Sequence, residues 1–390
     1  MIARSRRRRG AARAIYLLLL PATLCPPAAA AQAPARPARD LELTPTGYVQ
    51  LDFRAFPDWS VRPGTGRLNR DTVEVRRLRG GIDGSWRRLS FEFSIDPLDE
   101  DGGLIKDAYA QVRVGAYRVR AGQFKLPGSR AYSSAARNTD FLERAVLATS
   151  LAARRDVGVM VRGRLSPRLD YEAGVFAGDD NGEADRAGVT AAGRLEWDAA
   201  DELIVAGYVS EGGLSSVDTD PENGLSGRAP SGYRFFEDVY VQGRRRRLGA
   251  DVEWSPGTWQ FTAEALRVRD ERREQGLDFE DLPSAVALGT SLTVRWRFAR
   301  GRDVVLGHDY MAFDDVGQAT DAASVRPRAT DIRARAVHAV TVGGSWRVAP
   351  WLRLLGNAGM EWFSERRSAP DPAAQRGYVV MGTRLQIELR

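Results

Sequence analysis

The feature that most constrains this chain is a period of two, repeated in sixteen segments. In GYVQLDFRAF, beginning at Gly47, the residues Val49, Leu51, Phe53 and Ala55 alternate with Tyr48, Gln50, Asp52 and Arg54. In RLSFEFSID, Leu89, Phe91, Phe93 and Ile95 alternate with Arg88, Ser90 and Glu92. SLTVRWRF sets Leu292, Val294, Trp296 and Phe298 against Thr293, Arg295 and Arg297, and the final VVMGTRLQIELR sets Leu385, Ile387 and Leu389 against Arg384, Gln386 and Glu388. Each reads as a strand with one apolar and one polar face. The segments fall near 47–56, 73–84, 88–96, 104–114, 117–124, 157–165, 169–177, 188–198, 202–212, 244–255, 258–269, 287–298, 302–312, 334–348, 350–363 and 376–390.

The links between them alternate in length. Short ones, such as Asp198 to Asp201 and Ser255 to Gly257, take turns with long ones, such as 57–72, 125–156 and 213–243. An even number of meandering strands, joined by tight turns at one end and long loops at the other, predicts an all-β fold: a 16-stranded antiparallel transmembrane β-barrel of the outer-membrane kind. Closure leaves no unpaired edge in lipid. Trp86, Trp197, Trp254, Trp259, Trp346, Trp351 and Trp362 lie near strand ends by short turns, where an interfacial girdle belongs. A secreted sandwich or propeller would also alternate, but it should show blade or Greek-key repeats of fixed period, and none is present. No later stretch is apolar for long enough to form a transmembrane helix.

The N-terminus, MIARSRRRRGAARAIYLLLLPATLCPPAAAAQA, has a basic start, a short apolar run and an Ala-rich end, the layout of a cleaved secretory signal over residues 1–33. A lipoprotein signal ending at Cys25 is the rival, but Leu24 stands where a small residue is wanted. Residues 34–46 are expected to be a short N-terminal segment and 47–390 the barrel. The whole chain has 57 basic and 51 acidic residues, but six arginines and no acid lie in the leader, so the mature chain is neutral. It carries no bulk basic field for nucleic acid. The single cysteine leaves with the leader and only two histidines remain, so no metal or other cofactor is expected.

Lys106–Tyr109 (KDAY), Ala121–Pro127 (AGQFKLP), Phe141–Ala145 (FLERA), Arg154–Gly163 (RRDVGVMVRG) and Tyr171–Gly182 (YEAGVFAGDDNG) occur in that order and together resemble the phosphate-selective porin O and P family, as does EVRRLRGGIDG from Glu74. The resemblance is dense from about 74 to 182 and diffuse beyond. It implies a trimeric porin exposed to outer-membrane lipid, whose third external loop folds inward to narrow the channel, here about 125–156, and binds small anions such as phosphate. Matched residue by residue, it makes Arg76, Arg77, Lys125, Ser133, Ser134 and Arg144 the candidates for anion contact. Both serines could equally cap helices or turns. Asp107 and Glu143 are read as anchors of the loop to the wall.

The residues of that segment give an independent reading. It has no period of two, and NTDFLERAVL (Asn138–Leu147) reads as a short helix capped by Asn138 or Thr139. The only two lysines, Lys106 and Lys125, flank the two strands before it. Lysine is a compact point charge where arginine is a gripping fork, and a permeating anion must be released as well as bound. Lys125 is therefore expected at the constriction, and Lys106, on the lipid-facing phase of its strand, at the rim.

Placing a charge on the lipid side costs roughly 2–4 kcal/mol at the midplane, so the polar faces must line the lumen. They carry near-equal numbers of arginines and acids, and selectivity falls to the loops. Segment 125–156 has six basic residues against three acids, whereas 213–243 has two against five. The second departs from the resembled family, whose fifth loop adds an arginine ladder; the nearest substitute is Arg244–Arg247. A general porin of weak selectivity and a non-conducting scaffold or adhesion barrel therefore stay open. An enzyme is not expected: His308 and His338 fall on the lipid-facing phase, and no serine motif accompanies them.

Overall fold

The computed structural model describes residues 41–56, 61–62, 66–67, 71–99, 103–178, 188–215, 226–236, 242–274, 281–314, 334–366 and 377–389. The expected signal peptide, residues 34–40 of the expected N-terminal segment and Arg390 lie outside them. Sixteen strands form one closed antiparallel barrel in which neighbours in sequence are neighbours in space and the first strand pairs with the last. They are β1 Glu42–Ala55, β2 Thr72–Trp86, β3 Leu89–Ile95, β4 Ile105–Val114, β5 Tyr117–Lys125, β6 Arg155–Ser166, β7 Leu169–Phe176, β8 Thr190–Ala200, β9 Leu203–Ser215, β10 Gln242–Trp254, β11 Trp259–Arg272, β12 Leu282–Ala299, β13 Arg302–Phe313, β14 Ala334–Ala349, β15 Leu352–Arg366 and β16 Gly377–Leu389. β1 opens five residues before the expected Gly47, because Leu43 to Thr46 pair with Gly81 to Gly84 of β2.

The outer surface is the apolar phase. Leu51, Phe53, Leu292 and Leu306 are exposed, while Asp52, Glu264 and Arg384 are buried on the inner phase. Trp86, Trp197, Trp254, Trp259, Trp296, Trp346 and Trp351 are exposed at the tight-turn end, and Trp259 stacks on Trp296 with ring centroids 5.6 Å apart. Trp362 is a correction to that girdle: it lies near the long-loop end of β15, paired to Gly377, and stacks on His338.

Among the register shifts of the barrel, two β-bulges each turn a cation inward. Gln50 faces Arg77 and Leu51 faces Val75, so Arg76 is the extra residue of β2. Ser94 faces Asp107 and Ile95 faces Ile105, so Lys106 is the extra residue of β4. An unpaired bulge residue shifts the phase, so two successive side chains share one face. This corrects the expectation for Lys106. Its side chain is only 2% exposed and its Nζ lies 2.7 Å from Asp99.

Segment 126–154 holds three short turns of helix: α1 Arg130–Ser133, a 3-10 turn Ala136–Asn138, and α2 Val146–Ser150. The helix expected over Asn138–Leu147 is thus displaced toward the C-terminus. Asp140, Leu142 and Glu143, which would have formed its first turn, bond instead to the barrel wall.

Gly122 of β5 has φ +128°, and a Cβ there would come within 2.2 Å of the Ala108 carbonyl oxygen on β4. Gly122→Val should cost about 1–3 kcal/mol through strain at a position only glycine tolerates. A lowered urea midpoint for the barrel folded in lipid vesicles would show it, and an unchanged midpoint would refute it.

Candidate functional site

The site is built around segment 126–154, whose polar groups bond inner-face side chains around much of the barrel. Ser129 Oγ accepts from Tyr132 N at 3.2 Å and starts α1. Glu264 of β11 accepts from the backbone N–H groups of Arg130 and Ala131, at 3.1 and 2.9 Å, and is held by Tyr208 Oη at 2.7 Å. A carboxylate there satisfies donors that the short helix leaves free. Arg353 and Gln386 both donate to the Arg137 carbonyl at 3.0 Å. Leu142 donates its N–H to Asn357 Oδ1 at 3.0 Å and receives Arg384 on its carbonyl at 2.9 Å. Arg384 in turn grips Asp52 with two bonds of 2.6 and 2.7 Å. Asp140 pairs with Arg295, and Val146 N donates to Asp309 at 3.4 Å.

The two acids read as anchors both make ion pairs. Glu143 bonds Arg54 of β1 and Arg76 of β2, the second at 3.4 Å. Asp107 bonds Arg79 of β2 and accepts twice from Arg155, at 3.2 and 3.1 Å, where the chain re-enters the barrel. Burial pushes the Glu143 carboxyl up, but Arg76 and Arg54 outweigh it and hold the pKa down at about 2.

The residues expected to meet an anion divide into two groups. Arg76 is paired to Glu143, and Arg77 lies 3.7 and 3.4 Å from Asp96 and Asp99. Lys125 and Arg144 are different. The Lys125 ammonium donates to the carbonyls of Tyr132, Ser133 and Ser134 at 2.8, 3.0 and 3.0 Å. Arg144 donates to the carbonyls of Ala131 and Ser134. Among the described residues both make their hydrogen bonds to neutral acceptors and neither touches a carboxylate. Arg77 and Arg155 add repulsion, and burial with that repulsion lowers the Arg144 pKa to about 10. Ser133 and Ser134 are exposed, and the Ser134 hydroxyl donates back to the Arg130 carbonyl at 3.0 Å.

Nearby, Arg120 of β5 is bonded to Gln111 at 3.1 Å and stacks over Tyr109 at 3.9 Å, again without an acid among the described residues. The inner surface of β2 to β6 beside the loop is therefore rich in cations balanced chiefly by Asp96, Asp99 and Asp107. Among the described residues no group of three or more His, Cys, Asp or Glu is placed to hold a metal ion.

The opposite side of the lumen holds an apolar cluster among its charged groups, which the sequence reasoning missed. Val146 and Leu147 of α2, and Leu151 just after it, are buried with Tyr233, Phe235 and Phe236 against inner-face residues of β11 to β16, including Leu266, Met311, Phe313, Phe363 and Tyr378. Phe236 stacks on Phe313 with centroids 3.8 Å apart. Ser231 N donates to Glu361 of β15 at 3.0 Å. The fifth long link was read by its charge alone; the signal was the aromatic run GYRFF within it. Of the proposed ladder Arg244–Arg247, only Arg245 and Arg247 face inward, where Arg245 is clasped by Asp270 at 2.7 and 2.6 Å.

The family model described as phosphate-selective porin O and P matches residues 45–289. The sequence matches no curated protein. Among solved structures, the outer-membrane expressed OmpT of Vibrio cholerae is similar at TM-score 0.61 and 11% identity, over 90% of this chain and 98% of that one. The outer membrane channel DcaP of Acinetobacter baumannii gives TM-score 0.60 and 11% identity, over 90% and 97%. In-vitro folded OmpT of Vibrio cholerae, described as a trimer form, gives 0.58 and 12%, over 90% and 99%. At such identities the likeness is one of fold.

The Glu143 anchor carries a pH prediction. Its folded pKa of about 2 lies below the usual carboxylate value, so its contribution is complete above about 4.5 and is lost as pH falls through about 2. Single-channel current should keep the same level and noise from pH 7 to pH 4, with excess flicker only near pH 2. Glu143→Gln should flicker at pH 7. Flicker of the wild type setting in at pH 5 would contradict the assignment.

Proposed function

The chain belongs to the phosphate-selective porin O and P family, and on that premise we propose that it forms a water-filled outer-membrane channel for passive diffusion of small anions, phosphate-like oxyanions among them. In this reading segment 126–154 folds into the lumen and narrows it. The path runs between that segment and the inner faces of β2 to β6, because the β11 to β16 side is filled by the apolar cluster of α2 and the fifth link. The family and the fold are those of channels rather than enzymes. Outer-membrane lipid surrounds the barrel, and the trimer form of one structural neighbour supports a homotrimer.

One observation carries the choice of anions. Lys125 and Arg144 are held by carbonyl oxygens, so their positions are fixed while their charges stay uncompensated. A carboxylate partner would cancel the field that an anion meets; a carbonyl does not. A fixed cation in a narrow path raises local anion concentration. Ser133 and Ser134 are exposed beside both cations; Ser133 would donate its hydroxyl to an oxyanion directly, and Ser134 by turning its O–H away from the Arg130 carbonyl. Lys125 acts chiefly through its field, since its three N–H bonds already go to the loop. Arg76 and Arg77 contribute to the same field from behind their acid partners. Contact between a permeating anion and any of these residues is part of the proposal.

The test is the zero-current potential of the mature chain in planar bilayers under a KCl gradient, followed by phosphate titration. Anion selectivity is expected, with chloride current blocked by phosphate. Arg144→Gln together with Lys125→Gln should lower the chloride-to-potassium permeability ratio at least about threefold, the scale set by loss of two fixed charges in a confined path. Weak selectivity and no block would leave a general porin.

The apolar cluster favours a second reading, a barrel whose lumen is closed. Burying Phe235 and Phe236 stabilises the fifth link against the wall by about 1.5–3 kcal/mol for each ring. In that case wild-type bilayers should show no current, and Phe235→Ser with Phe236→Ser should open one. Current through the wild type would dismiss this reading.

A further inference from the structure

The polarity of β11 inverts along its length. Up to Ala265 the outward phase is apolar: Phe261, Ala263, Ala265. Beyond it the outward phase is Arg267 and Arg269, while the inward phase holds the buried Leu266 and Val268. Glu264 and Asp270, both buried on the inner phase, fix that register from either side. On β10 the inward phase stays charged, with Arg245 and Arg247, and Arg244 and Arg246 are exposed outside, beyond Leu248. Arg246 is paired directly across from Arg269, and Leu248 across from Arg267. Four arginines thus share one outward patch.

The patch has too few acids of its own. Glu211 of β9 bonds both Arg244 and Arg246, at 2.9 and 3.1 Å. Glu271 is engaged by Arg273 at 2.7 Å and by the Arg244 N–H at 3.1 Å. Arg267 and Arg269 have no partner among the described residues. Like charges directly opposite each other on a sheet repel unless an anion lies between them.

The height of the patch says what that anion belongs to. Arg267 lies eight residues along β11 from Trp259 of the interfacial girdle. On a tilted strand that is roughly 20 Å, near the upper border of an apolar band about 25 Å tall. Leu248 and Leu288, exposed and paired to Arg267 from either side, belong to the band itself. Elsewhere the outward residues near the long-loop end include Phe53, Val73, Val175 and Val189, so among the described residues the arginines gather in one sector.

We propose that the outward faces of β10 and β11, at their long-loop ends, bind the phosphate groups of an anionic lipid in the outer leaflet. Arginine forks suit phosphate oxygens, and the flanking leucines receive acyl chains. A second copy meeting this patch with its own would place arginine against arginine. The inference rests on the outer-membrane barrel and not on anion conduction through the lumen.

The test uses the full mature chain in nanodiscs of phosphatidylcholine doped with lipid A, with retained lipid counted by native mass spectrometry. The wild type should retain lipid A at least about tenfold over phosphatidylcholine. Arg267→Gln with Arg269→Gln should cut that preference at least about fivefold, while Arg164→Gln, at the turn end, should leave it unchanged. Inorganic phosphate should not displace the lipid. The proposal is overturned if the wild type shows no preference, if the double variant keeps it, if free phosphate competes, or if lipid is lost only where the oligomer dissociates. The wild-type preference needs no variant, so a misfolded double variant would not rescue the idea.

Discussion

Everything in this molecule follows from one requirement: backbone N–H and C=O groups that meet hydrocarbon must be bonded to one another. A sheet satisfies it only by closing, and here β1 pairs with β16 from Gly47↔Leu389 to Ala55↔Met381. Closure divides every strand into a phase that sees lipid and a phase that sees the lumen. The lumen phase then has to hold whatever charge the chain carries within the membrane, and Asp52, Glu264, Arg353 and Arg384 are buried there. Those side chains in turn are the partners available to segment 126–154. The loop's geometry is therefore a consequence of the barrel rather than of its own helical propensity.

The two bulges show how a strict alternation can still be made to serve a site. A strand that obeys period two can point only every second residue inward. Inserting Arg76 and Lys106 as unpaired residues lets Arg76 join Arg77, and Lys106 join Asp107, on the lumen side. The result is a denser ring of charge around Asp99, Asp107 and Glu143 than the pleat alone permits. Bulges also explain why the two lysines, flanking the same pair of strands, reach quite different environments: one meets a carboxylate on the wall, the other three carbonyls of the loop.

How much of this was legible in the sequence follows from the same distinction. Strand number, the order of short and long links, and the inward phase of Arg54, Asp52 and Arg384 are properties of a period that any reader of the chain can see. A bulge leaves no mark in a hydrophobic pattern, so Lys106 was placed on the wrong face. The helix over 138–147 was credible from local rules, but Arg295, Asn357, Arg54 and Arg76 compete for its side chains and backbone, and tertiary bonds prevail over a short helix. The fifth link was weighed by charge because charge is what a channel argument looks for. Its aromatic run had no visible partner until β13, β15 and β16 brought Phe313, Phe363 and Tyr378 to it.

By the same reasoning a nearly neutral lumen favours one sign of charge only where some of its charges keep their field. Most inner arginines are cancelled by a carboxylate within bonding distance, as Arg194 is by Asp251 and Arg245 by Asp270. Counting charges around the wall therefore says little about what an ion meets. What matters is which charges keep their field. Lys125 and Arg144 are fixed by carbonyl oxygens, whose partial charges orient the cation without neutralising it. Several of the acids are instead consumed by backbone donors: Glu264 by Arg130 and Ala131, Glu361 by Ser231, Asp309 by Val146. Cations held by dipoles and anions held by N–H groups both serve to fix the third and fifth links in place. The cations, however, cluster beside the exposed Ser133 and Ser134, while the acids lie under α1 and the apolar cluster. Selectivity in such a barrel is set by which charges the loops leave facing water, not by the composition of the wall.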